Sequence, residues 1–95
     1  MVGKGGGMTA AERKHMDAVA SLPCLICGAT PVSLHHVRRY GETRKHSKVV
    51  PLCYTHHQGA EGIHTLGKRE WERRYMTQDA MLAEVARRLQ QTSIG

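Results

Sequence analysis

Residues 50–57 read Val50-Pro51-Leu52-Cys53-Tyr54-Thr55-His56-His57. This stretch runs from an apolar segment into a metal-ligand pair and then into one more histidine. Val49 to Leu52 is short and apolar, which predicts a strand. Thr55 to Gln58 predicts a short helix that must break near Gly59 or Gly62. Between them stands Cys53-x-x-His56. The x-x spacing lets two side chains from one turn converge on a single ion.

Upstream, Cys24-Leu25-Ile26-Cys27-Gly28 is a tight turn carrying two thiols at the same spacing. Alone, that pair reads equally well as two small buried hydrophobes. Two paired knuckles instead predict a tetrahedral site of Cys24, Cys27, Cys53 and His56, a common structural Zn2+ set. The chain has 3 cysteines, which cannot all pair internally, and a reducing compartment disfavours disulfides. At 95 residues, 4% aromatic and with no Phe, it is a single domain whose core is modest. Such a domain commonly needs a staple.

A second set of histidines remains: His35, His36, His57 and His64. Pro31 to His36 alternates Val32 and Leu34 with polar residues and predicts a strand that ends on the histidine pair. Adjacent strand residues point to opposite sides, so His35 and His36 cannot do the same job. One can bind an ion while the other faces a substrate. His57 follows the second knuckle and starts the predicted helix; His64 lies further along it if the helix survives its glycines. Any one of these histidines is also readable as a surface or satisfied core residue. The pair's position, after a zinc knuckle and before a basic loop, argues for a site.

The net charge is +6, from 14 Lys and Arg against 8 Asp and Glu. Between Pro31 and Ala60, Arg38, Arg39, Arg44, Lys45 and Lys48 face one acidic residue, Glu42. That imbalance beside the histidines points to a polyanionic partner, with DNA the first candidate. No apolar run is long enough to span a membrane. The amino terminus offers no secretory h-region, so a cytoplasmic protein is expected.

The remaining chain divides simply. Residues 1–8 form a flexible glycine-rich tail and 9–95 one domain. Thr9 and Glu12 compose a capping box for a helix to about Ser21, with Met16, Val19 and Ala20 on one face. Lys68 to Met76 predicts a helix with Trp71 and Tyr75 as core anchors, stacking on an unpaired base being the lesser reading. Thr77 caps a last helix to about Gln91, apolar along Met81, Leu82, Val85 and Leu89. Arg87 and Arg88 fall near its C-terminal end.

The order CxxC, strand, His-His, basic loop, strand, PLCxxHH resembles the HNH endonucleases, which share the ββα-metal fold. With Gly62-Ile63-His64, Gly67 and Trp71-Glu72-x-x-Tyr75, it is similar to their phage recombination-enhancement branch (Ref-like, RecA-dependent). The resemblance covers about Leu22 to Tyr75. It implies a small α+β fold: a zinc-stapled ββα-metal core, with flanking N- and C-terminal helices. It also implies that Cys24, Cys27, Cys53 and His56 hold structural Zn2+. His35 and His57 would hold a catalytic divalent ion (Mg2+, Mn2+, Ni2+ or Zn2+), with His64 a further ligand. His36 matches the general base. Where the family commonly has an Asn that pins the loop orienting the base, this chain has Lys48, with His46 and Ser47 just before it. Any of the three can take that place.

The implied activity is metal-dependent DNA hydrolysis with low sequence specificity, in phage recombination or DNA processing. Arg38, Arg39, Arg44 and Lys45 would hold the DNA backbone, and a RecA-type recombinase filament would be a partner. Two other functions stay open on the residues themselves. One is a non-catalytic zinc-stabilised DNA-binding module; the other is a zinc-stabilised protein-interaction domain. A pure zinc module, however, has no use for His35, His36 and His57.

Overall fold

Thr9 and Glu12 start the first helix as their spacing predicts. In the computed structural model, Glu12 N–H donates to Thr9 Oγ1 at 3.0 Å and Thr9 N–H donates to Glu12 Oε1 at 2.9 Å. Helix α1 then runs over Ala10–Ala20. Val19 is fully buried and Met16 half-buried, but Ala20, expected on the same face, is exposed. The structure describes residues 8–37 and 45–94, with side chains to residue 91. The expected tail therefore lies almost wholly outside the described residues, as do Arg38, Arg39 and Arg44. Lys45 is described and exposed.

After Pro23 the Cys24–Cys27 knuckle turns back on itself. Gly28 N–H donates to the Cys24 carbonyl at 2.8 Å. Gly28 sits at φ +77, a left-handed conformation that glycine adopts without a Cβ penalty. Leu25 N–H donates to the Pro51 carbonyl at 3.2 Å, which hangs the knuckle on the second strand.

Strands β1 (Ser33–His36) and β2 (Val49–Leu52) form an antiparallel pair. Their register sets His35 opposite Val50 and His36 opposite Val49. All four β2 residues are buried, which is why this strand reads as a continuous apolar run rather than an alternating one. The chain passes at once into α2 (Tyr54–His57), completing a β–β–α unit. Then follow α3 (Ile63–Leu66), α4 (Lys68–Arg74) and α5 (Gln78–Ile94).

Helices α1 and α5 both pack on β2 and on each other. The core between them holds Val19, Leu22, Val49, Val50, Leu52, Met81 and Val85, with Ile63 and Trp71 closing its other side. Each buried aliphatic side chain of this size is worth about 1.5–3 kcal/mol against exposure. Trp71 is the core anchor its helical spacing predicts; Tyr75 is only half-buried. The architecture is the expected small α+β fold, a two-stranded sheet flanked by helices. One boundary differs in consequence. Because α5 continues to Ile94, Arg87 and Arg88 lie inside the helix and pair with Glu84 at 2.5 and 2.6 Å.

Candidate metal centres

Two histidine- and cysteine-rich clusters flank α2, one on each side of its short span. The first gathers Cys24, Cys27, Cys53 and His56, whose ligand atoms all lie within 4.8 Å of one another. Cys27 Sγ is 3.7 Å from Cys53 Sγ, and His56 Nδ1 is 3.4 Å from Cys53 Sγ and 3.8 Å from Cys24 Sγ. Thiolates about 2.3 Å from a tetrahedral ion stand about 3.8 Å apart, close to these three separations, so the donor set suits Zn2+. Burial raises the Cys24 thiol, but N–H groups of Cys53, Cys27 and Ile26 aimed at it outweigh burial and hold it below its ordinary value. A stabilised thiolate is the form a metal needs. The His56 ring packs edge-on against Tyr75, with centroids 5.1 Å apart, which gives Tyr75 its place.

The second cluster is His35, His57 and His64, again with ligand atoms within 4.8 Å of one another. His35 comes from β1, and His57 ends α2 rather than starting it as the sequence predicts. His64 comes from α3, not from a continuation of α2. The chain breaks at the glycines and doubles back, which brings His64 Nε2 to 3.1 Å from His57 Nε2. Gly62 permits the fold-back: a Cβ there would stand 2.6 Å from the His57 carbonyl carbon and oxygen. His35 and His57 are buried and His64 is exposed.

Burial pushes His57 down to about 4, with repulsion from His35 and His64 adding to it. Burial also lowers His35, opposed by its hydrogen bond to Gln78 and reinforced by His64. Both imidazoles are therefore neutral at pH 7, the state in which a histidine offers a lone pair to a metal. Imidazole nitrogen donors suit a transition ion better than Mg2+, which prefers oxygen.

A cavity of about 640 Å³ opens over this cluster, lined by His35, His36, His57, His64, Lys68 and Gln78 among others. His36 is half-buried, where its neighbour His35 is 8% exposed, so the two adjacent histidines do occupy different environments. His36 Nε2 lies 3.2 Å from His46 Nδ1. His46, one of the three residues that can take the place of the missing Asn, therefore lies against His36.

Residues 8–90 match the family described as recombination enhancement, RecA-dependent nuclease. The chain belongs to that family. The match takes in α1 and most of α5 as well as the metal clusters, so it extends beyond the Leu22 to Tyr75 stretch. The family's description places the protein among nucleases that act with RecA in recombination. Among the described residues, no helix is long and apolar enough to cross a membrane.

Two residues at the second cluster had no sequence signal. Ser33 Oγ lies 2.6 Å from His57 Nδ1, and Gln78 Oε1 lies 2.7 Å from His35 Nε2. Each is an ordinary polar residue at an element's first position. Only the tertiary fold brings them to the histidines. Lys68 on the cavity wall was likewise read only as the start of a helix.

Proposed function

We propose that this member of the family is a metal-dependent DNA endonuclease of the HNH type, with low sequence specificity. The observation that carries the proposal is the convergence of His35, His57 and His64 on one open cavity, with His36 beside them. In this reading Cys24, Cys27, Cys53 and His56 hold structural Zn2+ and cross-link the knuckle to the β–β–α unit. His35, His57 and His64 hold the second divalent ion. That ion, when bound, supplies the positive charge that offsets the developing negative charge on the phosphate and the leaving oxygen.

The chain's own residues do the rest. His36 takes a proton from the attacking water at a ring nitrogen. Histidine is the side chain most often used for such proton transfer. His46, against His36 Nε2, holds the ring in one orientation and takes over the task of the family's Asn. Lys48, at the Asn position itself, contacts a phosphate in this reading. Lys68 on the cavity wall and Lys45 on the exposed loop add cations for the DNA backbone, together with Arg38, Arg39 and Arg44. Such contacts position DNA without reading bases, which is the basis for expecting low specificity. The family's description supports a RecA-type filament as the activating partner.

The test is plasmid nicking with Mg2+, Mn2+, Ni2+ or Zn2+, each with and without RecA filaments, for wild type and His36→Ala. Cleavage is expected in at least one metal with RecA present, and its loss in His36→Ala at unchanged metal content. Absence of cleavage in every arm, from protein carrying both ions and still binding DNA, would leave the non-catalytic module as the better description.

A further inference from the structure

Gln78 is one of three buried polar side chains among the described residues, at 6% exposure; the other two are His35 and His57. A buried amide must be hydrogen-bonded, and the partner of Gln78 is His35 Nε2 at 2.7 Å. Its backbone is equally constrained. Gln78 N–H donates to Glu72 Oε2 at 2.7 Å, tying the first residue of α5 to α4. Thr77 Oγ1 accepts Ala80 N–H at 3.1 Å and closes the helix start. Gln78 therefore projects from a doubly fastened helix end into the cavity beside the histidines.

A neutral imidazole has one N–H and one lone pair, and whatever engages one nitrogen decides what the other can do. An amide oxygen only accepts. Placed at His35 Nε2, it selects the tautomer with hydrogen on Nε2 and leaves the lone pair on Nδ1. Ser33 meets His57 at Nδ1, and His57 turns Nε2 toward His64. The two buried histidines are thus held by different nitrogens, from different elements.

We propose that Gln78 is a positioning residue that fixes His35 as the Nε2–H tautomer and so presents Nδ1 to the divalent ion. The proposal rests on reading the three histidines as a metal site. It gives α5 a part in the site beyond covering the core: through Glu72 and Gln78, the α4–α5 corner sets the orientation of a ligand on β1.

The experiment uses the full chain with its Cys/His site loaded. Ni2+ binding at the second site is titrated calorimetrically for wild type, Gln78→Leu and Gln78→Glu. Leu removes the acceptor at similar volume, and the expected loss of affinity is about 10- to 100-fold, as for other outer partners of metal-bound histidines. Glu keeps an oxygen acceptor and is expected to bind at least as tightly as wild type. Nitrogen-15 NMR of the Zn2+-loaded wild type is expected to show His35 protonated on Nε2 and metal-shifted on Nδ1. Equal affinities of wild type and Gln78→Leu, or a His35 bound through Nε2, would overturn the role of Gln78 alone. A wild type that binds only one ion per chain would overturn the metal reading itself. Should Gln78→Leu fail to fold, the NMR assignment and Gln78→Glu still decide.

Discussion

Ser33 Oγ and His57 Nδ1 stand 2.6 Å apart, so the first residue of β1 grips the last residue of α2. The contact is a hydrogen bond that leaves His57 Nε2 directed at His64. Ser33 itself is exposed and contributes nothing to the core. Its replacement by Ala should therefore cost only the loss of this bond to buried His57, about 1–3 kcal/mol. Affinity for the second ion should fall by about 10- to 100-fold, the usual cost of losing such a partner. Calorimetric titration of Ser33→Ala beside wild type checks this. Unchanged affinity would mean that His57 is oriented by packing alone.

Removing the staple should have a much larger effect. Cys24 and Cys53 are buried at the junction of the knuckle, β2 and α2, and few large side chains stand behind them. A structural ion of this kind contributes on the order of 10 kcal/mol to folding at neutral pH. Cys53→Ser, or a strong chelator on wild type, should abolish the cooperative thermal transition seen by circular dichroism. Metal analysis should find two ions per wild-type chain. Retention of a sharp transition after Zn2+ loss would show that the core of α1, β2 and α5 suffices.

Why some of this was legible in the sequence and some was not follows from the range of the interactions. Strand β2 falls on Val49–Leu52 as read, because four consecutive apolar residues between polar ones admit few alternatives. The Cys24–Cys27 and Cys53–His56 knuckles were readable because their ligands converge locally. The break after α2 was expected from Gly59 and Gly62, yet the return of His64 as part of a separate helix was not. That return depends on Gly62 passing against the His57 carbonyl, a contact no periodicity reports. Ser33 and Gln78 are further still from local pattern. Gln78 sits 43 positions from His35, and nothing around it marks it as buried.

In the proposed mechanism, the pairing of His36 with His46 separates two contributions to catalysis. A general base is typically worth about 10²- to 10⁴-fold, so His36→Ala should lose that much cleavage rate while keeping both ions. His46→Ala should lose less, because His36 remains but its ring is no longer held at Nε2. His46→Asn restores a hydrogen-bonding side chain and should recover part of the rate. Single-turnover cleavage of RecA-coated DNA is the measurement. A His46→Ala variant as fast as wild type would return the Asn-like role to Lys48 or Ser47.

The buried histidines make the fold acid-sensitive in a defined window. His57 is lowered from 6.5 to about 4, and His35 shifts in the same direction. Between those limits the unfolded chain takes up a proton that the folded chain refuses, so stability falls as pH falls. Their full contribution is present above about 6.5, is lost progressively below it, and for His57 is gone near 4. Denaturant midpoints of protein loaded only at the Cys/His site should drop across this range. The drop should be smaller in His57→Asn, which has nothing to protonate there. Equal pH dependence in the two proteins would show that the Cys/His site alone sets acid sensitivity.

Gly62 offers a way to move His64 without removing it. A methyl group at this position would meet the His57 carbonyl carbon and oxygen at 2.6 Å, too close for any rotamer change to relieve. The backbone between α2 and α3 has to give, at a cost of about 1–3 kcal/mol for overpacking of this kind. The shift also parts His57 Nε2 from His64 Nε2, now 3.1 Å apart. Gly62→Ala should thus lower both the melting temperature and the affinity for the second ion, whereas His64→Ala should lower the affinity alone. The Cys/His site, held by the knuckle and β2, should still fill in both variants. If Gly62→Ala is destabilised but binds the second ion like wild type, His64 is not a ligand, and His35 and His57 hold the ion without it.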